Sequence, residues 1–212
     1  SRGGEDGGFL NPNGVITGQV LTGSGNPVKN TKVTLGPNLG KSIKFEGDGY
    51  IYWFDKDLNA NRQFVGLGND YTIETWFRSV AEQEQTMFAA VDSANASDYI
   101  NIGLTSEGHV SWTHKDVTIV SSEKFAGAGQ PWHHLAVVYD NGIMTMYING
   151  AIAREGTGGQ DINDKVEIVL GKNGPDNHSN FYSGYLDDFR IWDHPVEWEE
   201  IRNKSDLTLR GN

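Results

Sequence analysis

The sequence contains no cysteine. Disulfides, thiolate metal sites and cysteine nucleophiles are therefore excluded. A domain of this size does not need disulfides for stability, so their absence does not place the chain inside a cell. No stretch approaches the ~18 apolar residues needed to span a bilayer. No leader-like segment stands at Ser1, which is expected of a mature or trimmed piece of something longer. Basic residues are scarce, with 17 Lys and Arg against 28 Asp and Glu and a formal net charge of −11. Nucleic-acid and anionic membrane partners rely on a basic field, so the balance argues against both. Acidic side chains suit hard cations such as Ca²⁺, and they also simply aid solubility. The G-x-S-x-G elbow, the P-loop and a helical H-x-x-x-H pair are missing too.

Glycine and aromatic residues fill the place of these motifs. Of 212 residues, 37% are hydrophobic and 11% aromatic, including six Trp, enough for a substantial core. The 27 Gly imply many turns between short strands. Together they predict one large all-β domain. Residues 1–13 are Gly-rich and polar and read as a flexible lead-in. Residues 14–40 read as a short β-ribbon around a GSGNP turn, and resemble the opening of a carboxypeptidase-regulatory-like β-module. The ribbon is either a fragment of a neighbouring module or a part that packs on the main domain, residues 41–212.

From Lys41 onward the rhythm is that of strands. In SIKFEG, Ile43 and Phe45 alternate with Lys44 and Glu46. YTIETWFRS, TMFAAVD, DYINIGL, HVSWTH, WHHLAVVYD, IMTMYING, AIARE, KVEIVLG and YLDDFRIWD follow in turn. Glu107-Gly108, Asn141-Gly142 and Asn149-Gly150 mark hairpin turns, since Gly and Asn tolerate positive φ. His194-Pro195 before VEWEEIRNK predicts one short C-terminal helix, with Glu early and Arg and Lys late.

SIKFEGDGYI, YTIETWFRS, QPWHHLAVVYDNGIMTMYINGAI and GYLDDFRIWDHPVEWEEI occur in this order across about residues 42–202. Together they resemble the laminin-G-like members of the concanavalin A-like lectin/glucanase jelly-roll family. The resemblance implies a two-sheet antiparallel jelly-roll sandwich. It also implies an extracellular, secreted or cell-surface module that binds a glycan or a cell-surface protein, alongside other domains of the same polypeptide. The alternative is a structural spacer of an adhesin without sugar affinity. Catalytic relatives carry E-x-D-x-x-E on one strand, placing the nucleophile and the acid/base in one cleft. The nearest approach here is Glu82-Gln83-Glu84, and Met87 takes the third acidic position. The chain is therefore read as no enzyme.

Alternation in LDDFRIW puts Asp187 with Phe189 and Ile191 on the core face. A carboxylate there needs hydrogen bonds or a cation. The resemblance implies a structural Ca²⁺ held by Asp187 and by oxygens of the Gly47-Asp48 bend; the other reading is Asp187 capping backbone N–H groups. Asp92 and Asp98 in one loop, and Asp176 and Asn177 in another, are candidate ligand-binding residues, although such loops also occur as plain turns. Trp76, Trp132 and Trp192 are assigned to packing. Trp53 and Trp112 are the aromatic candidates for stacking on a sugar, with burial as the alternative. His133 and His134 are adjacent on a strand, so they face opposite ways and form no metal pair.

Overall fold

The structure is a computed structural model that describes residues 18–21, 42–53, 64–65, 67, 70–92, 95–159, 161–162 and 165–205. Its strands are β1 (Gly18–Leu21), β2 (Ile43–Glu46), β3 (Tyr50–Trp53), β4 (Phe64–Val65), β5 (Tyr71–Ser79), β6 (Gln85–Asp92) and β7 (Asn95–Leu104). They continue as β8 (His109–His114), β9 (Val117–Lys124), β10 (His133–Asp140), β11 (Ile143–Ile148), β12 (Ala151–Thr157), β13 (Lys165–Leu170) and β14 (Ser183–Trp192). One helix, α1 (Trp198–Ser205), follows them.

Among the described residues these strands form two antiparallel sheets. The larger runs β1-β3-β13-β6-β7-β8-β9, with β4 paired to β13, and the smaller runs β12-β11-β10-β5-β14-β2. The chain crosses repeatedly between them, so each sheet is built from distant segments. The 14–40 ribbon contributes β1, whose backbone pairs with β3 from Gly18↔Trp53 to Leu21↔Tyr50. Nothing about this strand supports the carboxypeptidase-like resemblance over the alternative that it packs on the main domain.

Alternation decides which side chains face inward. From the smaller sheet Ile73, Phe77, Val137 and Leu186 are buried, and from the larger Phe88, Ile102, Trp112 and Ile168. They meet between the layers, where the Phe88 and Phe189 rings stack at 5.5 Å. Each such burial contributes roughly 1.5–3 kcal/mol. The turns at Asn141-Gly142 and Asn149-Gly150 have positive φ at both residues, as that sequence pair predicts. His133 lies against Phe77 and Phe125, while His134 lies against Trp76 on the opposite face.

The outer face of the smaller sheet is covered in part by α1. Its Ile201 packs with Ala136, Val138, Trp192 and Val196. Beneath it Glu74 is 1% exposed. Trp192 Nε1 donates to Glu74 Oε2 at 2.8 Å and Lys204 Nζ at 3.1 Å. His134 Nε2 stands 3.8 Å from the other carboxylate oxygen.

Burial lowers the His134 imidazole from 6.5 to about 4, and the charges of Arg190 and Lys204 add to this. As pH falls, the unfolded state takes up this proton first and the folded state only later. The contribution is therefore full above about 6.5 and is lost between about 6.5 and about 4. Its size is on the order of 3 kcal/mol. Melting temperatures of the wild type and His134→Gln, measured from pH 7 down to 4, test this. The variant is expected to lose less stability across that window, and an identical decline in both would refute the assignment.

Candidate functional site

The segment after β13 builds a polar surface held by side-chain hydrogen bonds. Gly171 turns out of β13 with φ 92, and its N–H donates to Met87 O at 2.9 Å. Tyr182 N–H returns to Gly171 O at 2.9 Å and closes the loop at its base. Between these points the chain folds back over the outer face of the larger sheet, and Gly174 lies against Val91 of β6. Lys172 is fully buried under the loop. Its Nζ donates to Pro175 O at 2.6 Å and lies 3.8 Å from the centre of the Tyr50 ring. Burial lowers the Lys172 ammonium, and the Asp176 charge opposes that shift. A buried ammonium needs such partners, so Lys172 acts as an internal strut that fixes the loop.

Asn101 on β7 faces outward between the inward Ile100 and Ile102. Its Nδ2 donates to Asn173 Oδ1 at 2.9 Å and to Thr86 Oγ1 at 3.2 Å. Asn180 Nδ2 donates to Glu84 Oε1 at 2.9 Å, and Ser179 Oγ to Asn177 Oδ1 at 2.8 Å. Further across the sheet, the Thr113 and Thr118 hydroxyls lie 2.8 Å apart, and Tyr52 OH donates to Glu167. Amides and hydroxyls both donate and accept, and here they are held in place by one another. The chemistry suits a ligand rich in hydroxyl groups, and it offers no activated nucleophile.

The residues singled out from the sequence fall in different places. Asp176 and Asn177 are exposed on the loop over this surface. Asp92 ends β6 opposite Asn95 and is 2% exposed, so it is a buried strand-end residue and no surface ligand. Asp98 lies in β7 and Trp53 in β3, and both side chains fall outside the described residues. Trp112 is fully buried, with its ring 6.3 Å from that of Tyr71. The sugar-stacking expectation for Trp112 is thus corrected, because strand alternation turns its side chain inward with Val110 and His114.

Register separates the residues named for a calcium ion. Gly47 N–H bonds to Tyr182 O at 3.1 Å, and Asp187 follows Tyr182 by five residues along the strand. At roughly 3.3 Å per residue the two lie about 16 Å apart. Gly47, Asp48 and Asp187 therefore do not fit one ion, since Ca²⁺ ligands all lie within about 2.6 Å of it. The face expected for Asp187 is also reversed. A bulge between Asp187 and Arg190 inserts a residue, with Asp188 at φ 47. Leu186, Phe189 and Ile191 thereby share the core side, and Asp187 pairs with Trp76 facing outward. Its Oδ1 accepts the Asp188 N–H at 2.8 Å. Burial pushes the Asp187 carboxyl up, that hydrogen bond opposes the shift, and the Asp188 charge adds to it. Among the described residues no group of three or more His, Cys, Asp or Glu could hold a metal ion.

Lys172 and Asn101 were not singled out in the sequence. Asn101 did carry a signal, as a lone amide alternating with Ile100 and Ile102.

Two antiparallel sheets packed face to face, with crossing connections and a polar outer surface, define a lectin-type jelly-roll sandwich. The chain belongs to the concanavalin A-like lectin/glucanases superfamily, whose laminin-G-like family matches residues 45–202. No curated protein matches the sequence. Among solved structures, it is similar to domain 4 of AbnA, an extracellular arabinanase of Geobacillus stearothermophilus in complex with arabinotriose. Identity is 20%, coverage 89% of this chain and 88% of that one, and the TM-score 0.61. The SAP-like pentraxin of Limulus polyphemus has 16% identity, coverage of 81% and 84%, and TM-score 0.59. The sialidase CBM40 of Ruminococcus gnavus, bound to α2,3-sialyllactose, has 14% identity, coverage of 78% and 96%, and TM-score 0.59. These likenesses establish the fold. No helix of the described residues is long and apolar enough to cross a membrane.

Proposed function

We propose that the chain is a non-catalytic carbohydrate-binding module of an extracellular, multidomain protein, and that it binds neutral glycan hydroxyls on the outer face of the larger sheet. The observation that carries this is the Asn101–Asn173 amide pair, which locks a polar loop over a polar sheet face. The similar arabinanase and sialidase domains were solved with saccharides, which supports the reading. Calcium is given no part, because the residues named for it do not meet.

A glycan array followed by calorimetry tests the proposal. Binding to at least one neutral oligosaccharide is expected. Asn101→Ala releases the loop and removes a polar partner for the glycan, a loss of about 1.4 kcal/mol, so affinity should fall about tenfold. The melting temperature of each variant separates lost binding from lost fold. An array without any bound glycan would overturn the reading. It would favour an adhesin spacer or protein-interaction role, for which Ile143, Ile152 and Trp198 provide exposed apolar surface at 51%, 55% and 40%.

A further inference from the structure

We propose that Arg78, flanked by Trp132 and Tyr185 on the outer face of the smaller sheet, binds the carboxylate of an acidic sugar of the uronic-acid type. Arg78 of β5 pairs directly with Tyr185 of β14, and alternation points both away from the core. The guanidinium carbon lies 4.5 Å from the Tyr185 ring centre and 5.6 Å from that of Trp132. The rings are 6.1 Å apart and inclined at 59°. Arg78 Nε is buried and has no hydrogen-bond partner among the described residues. Of the carboxylates nearby in register, Glu46 is engaged with Lys44 and Asp188 with Arg190, and Asp187, opposite Trp76, accepts the Asp188 N–H. No ion pair among the described residues includes Arg78. The chain as a whole carries a net charge of −11.

The geometry selects the anion. A guanidinium is a planar fork that matches a carboxylate through two parallel hydrogen bonds. Aromatic walls hold that plane by cation–π contact and keep water from one edge. Trp132 and Tyr185 are only half-buried, so their rings also offer a surface to the C–H face of a sugar. One fork between two rings matches one sugar ring bearing one carboxylate, whereas an acidic peptide needs a run of cations. The site lies on the opposite side of the sandwich from Asn101 and uses different chemistry, so the two proposals fail separately.

The experiment is calorimetric titration of the full chain with trigalacturonate at low salt. Its methyl ester and triglutamate are titrated in parallel, and tryptophan fluorescence is followed. Trigalacturonate is expected to bind and perturb the fluorescence, and the ester and the peptide to bind at least about tenfold more weakly. Arg78→Gln should abolish the preference for the charged form, while Asn101→Ala should leave it intact. Should Arg78→Gln fail to fold, Arg78→Lys keeps the charge and loses the fork, and is expected to weaken binding about tenfold. Equal affinity for ester and acid, or full affinity in Arg78→Lys, would overturn the proposal. Equal affinity for triglutamate would overturn the sugar assignment and make the site a receptor for peptide carboxylates.

Discussion

Glu74→Ala is expected to destabilise the fold by about 3–5 kcal/mol, because it breaks a buried ion pair from one side. The carboxylate is 1% exposed and accepts from Trp192 and Lys204. Without it, the Trp192 N–H and the Lys204 ammonium lose their acceptor while remaining largely covered. Lys204 keeps Glu200, at 2.9 Å on its own helix, and the Trp192 ring, 4.1 Å from its Nζ. The first turn of α1 is acidic and its last turn basic, which favours the helix dipole by a few tenths of a kcal/mol per charge. That is too little to hold an eight-residue helix by itself. The helix should therefore loosen from the sheet, and Trp192 should become more accessible. Thermal and urea denaturation measure the loss, and a fall of roughly 10 °C in melting temperature is expected. Lys204→Met should also be costly, because it leaves the Glu74 carboxylate, 1% exposed, without its cation. Negligible losses in both variants would mean that the helix is held by Ile201 and its neighbours and not by the Glu74 pair.

Much of the architecture was legible because the strands obey simple alternation. YTIETWFRS, HVSWTH and WHHLAVVYD appear as β5, β8 and β10, with Ile73, Val110 and Leu135 inward as their patterns require. The Asn-Gly turns after β10 and β11 needed no tertiary information. The failures came from features that are not local. A single inserted residue at Asp187–Asp188 reverses the phase of β14, and two adjacent acidic residues give no sign of it. Positive φ is tolerated by Asp, so Asp188 accommodates the bulge without a glycine to mark it. The register of β2 on β14 decides whether Gly47 or Ser42 lies near Asp187. Ile43↔Leu186 places Ser42 there, and no residue in either strand announces that choice. Lys172 reads as an ordinary surface lysine until the loop closes over it, so its burial depends on contacts with Tyr50, more than a hundred residues away in the chain.

Trp112→Ala is expected to cost about 3–5 kcal/mol, the loss typical of a large aromatic removed from a core. The ring is fully buried on β8, with Ile102 and Ile119 beside it on β7 and β9. Tyr71 meets it edge-on from the other sheet, so it bridges the two layers. Trp112→Phe removes less volume and keeps an aromatic surface, so it should cost less than the alanine variant and remain folded. It also separates the two roles once open to this residue. A core tryptophan changes stability and leaves sugar affinity alone, because the sheet stands between it and the ligand. A stacking tryptophan does the reverse. Denaturation and glycan titration of Trp112→Phe therefore give opposite signatures for the two roles. The structure requires a lowered melting temperature with unchanged affinity. An unchanged melting temperature with lost affinity would place the ligand inside the sandwich, and would remove the basis for assigning it to the Asn101 face.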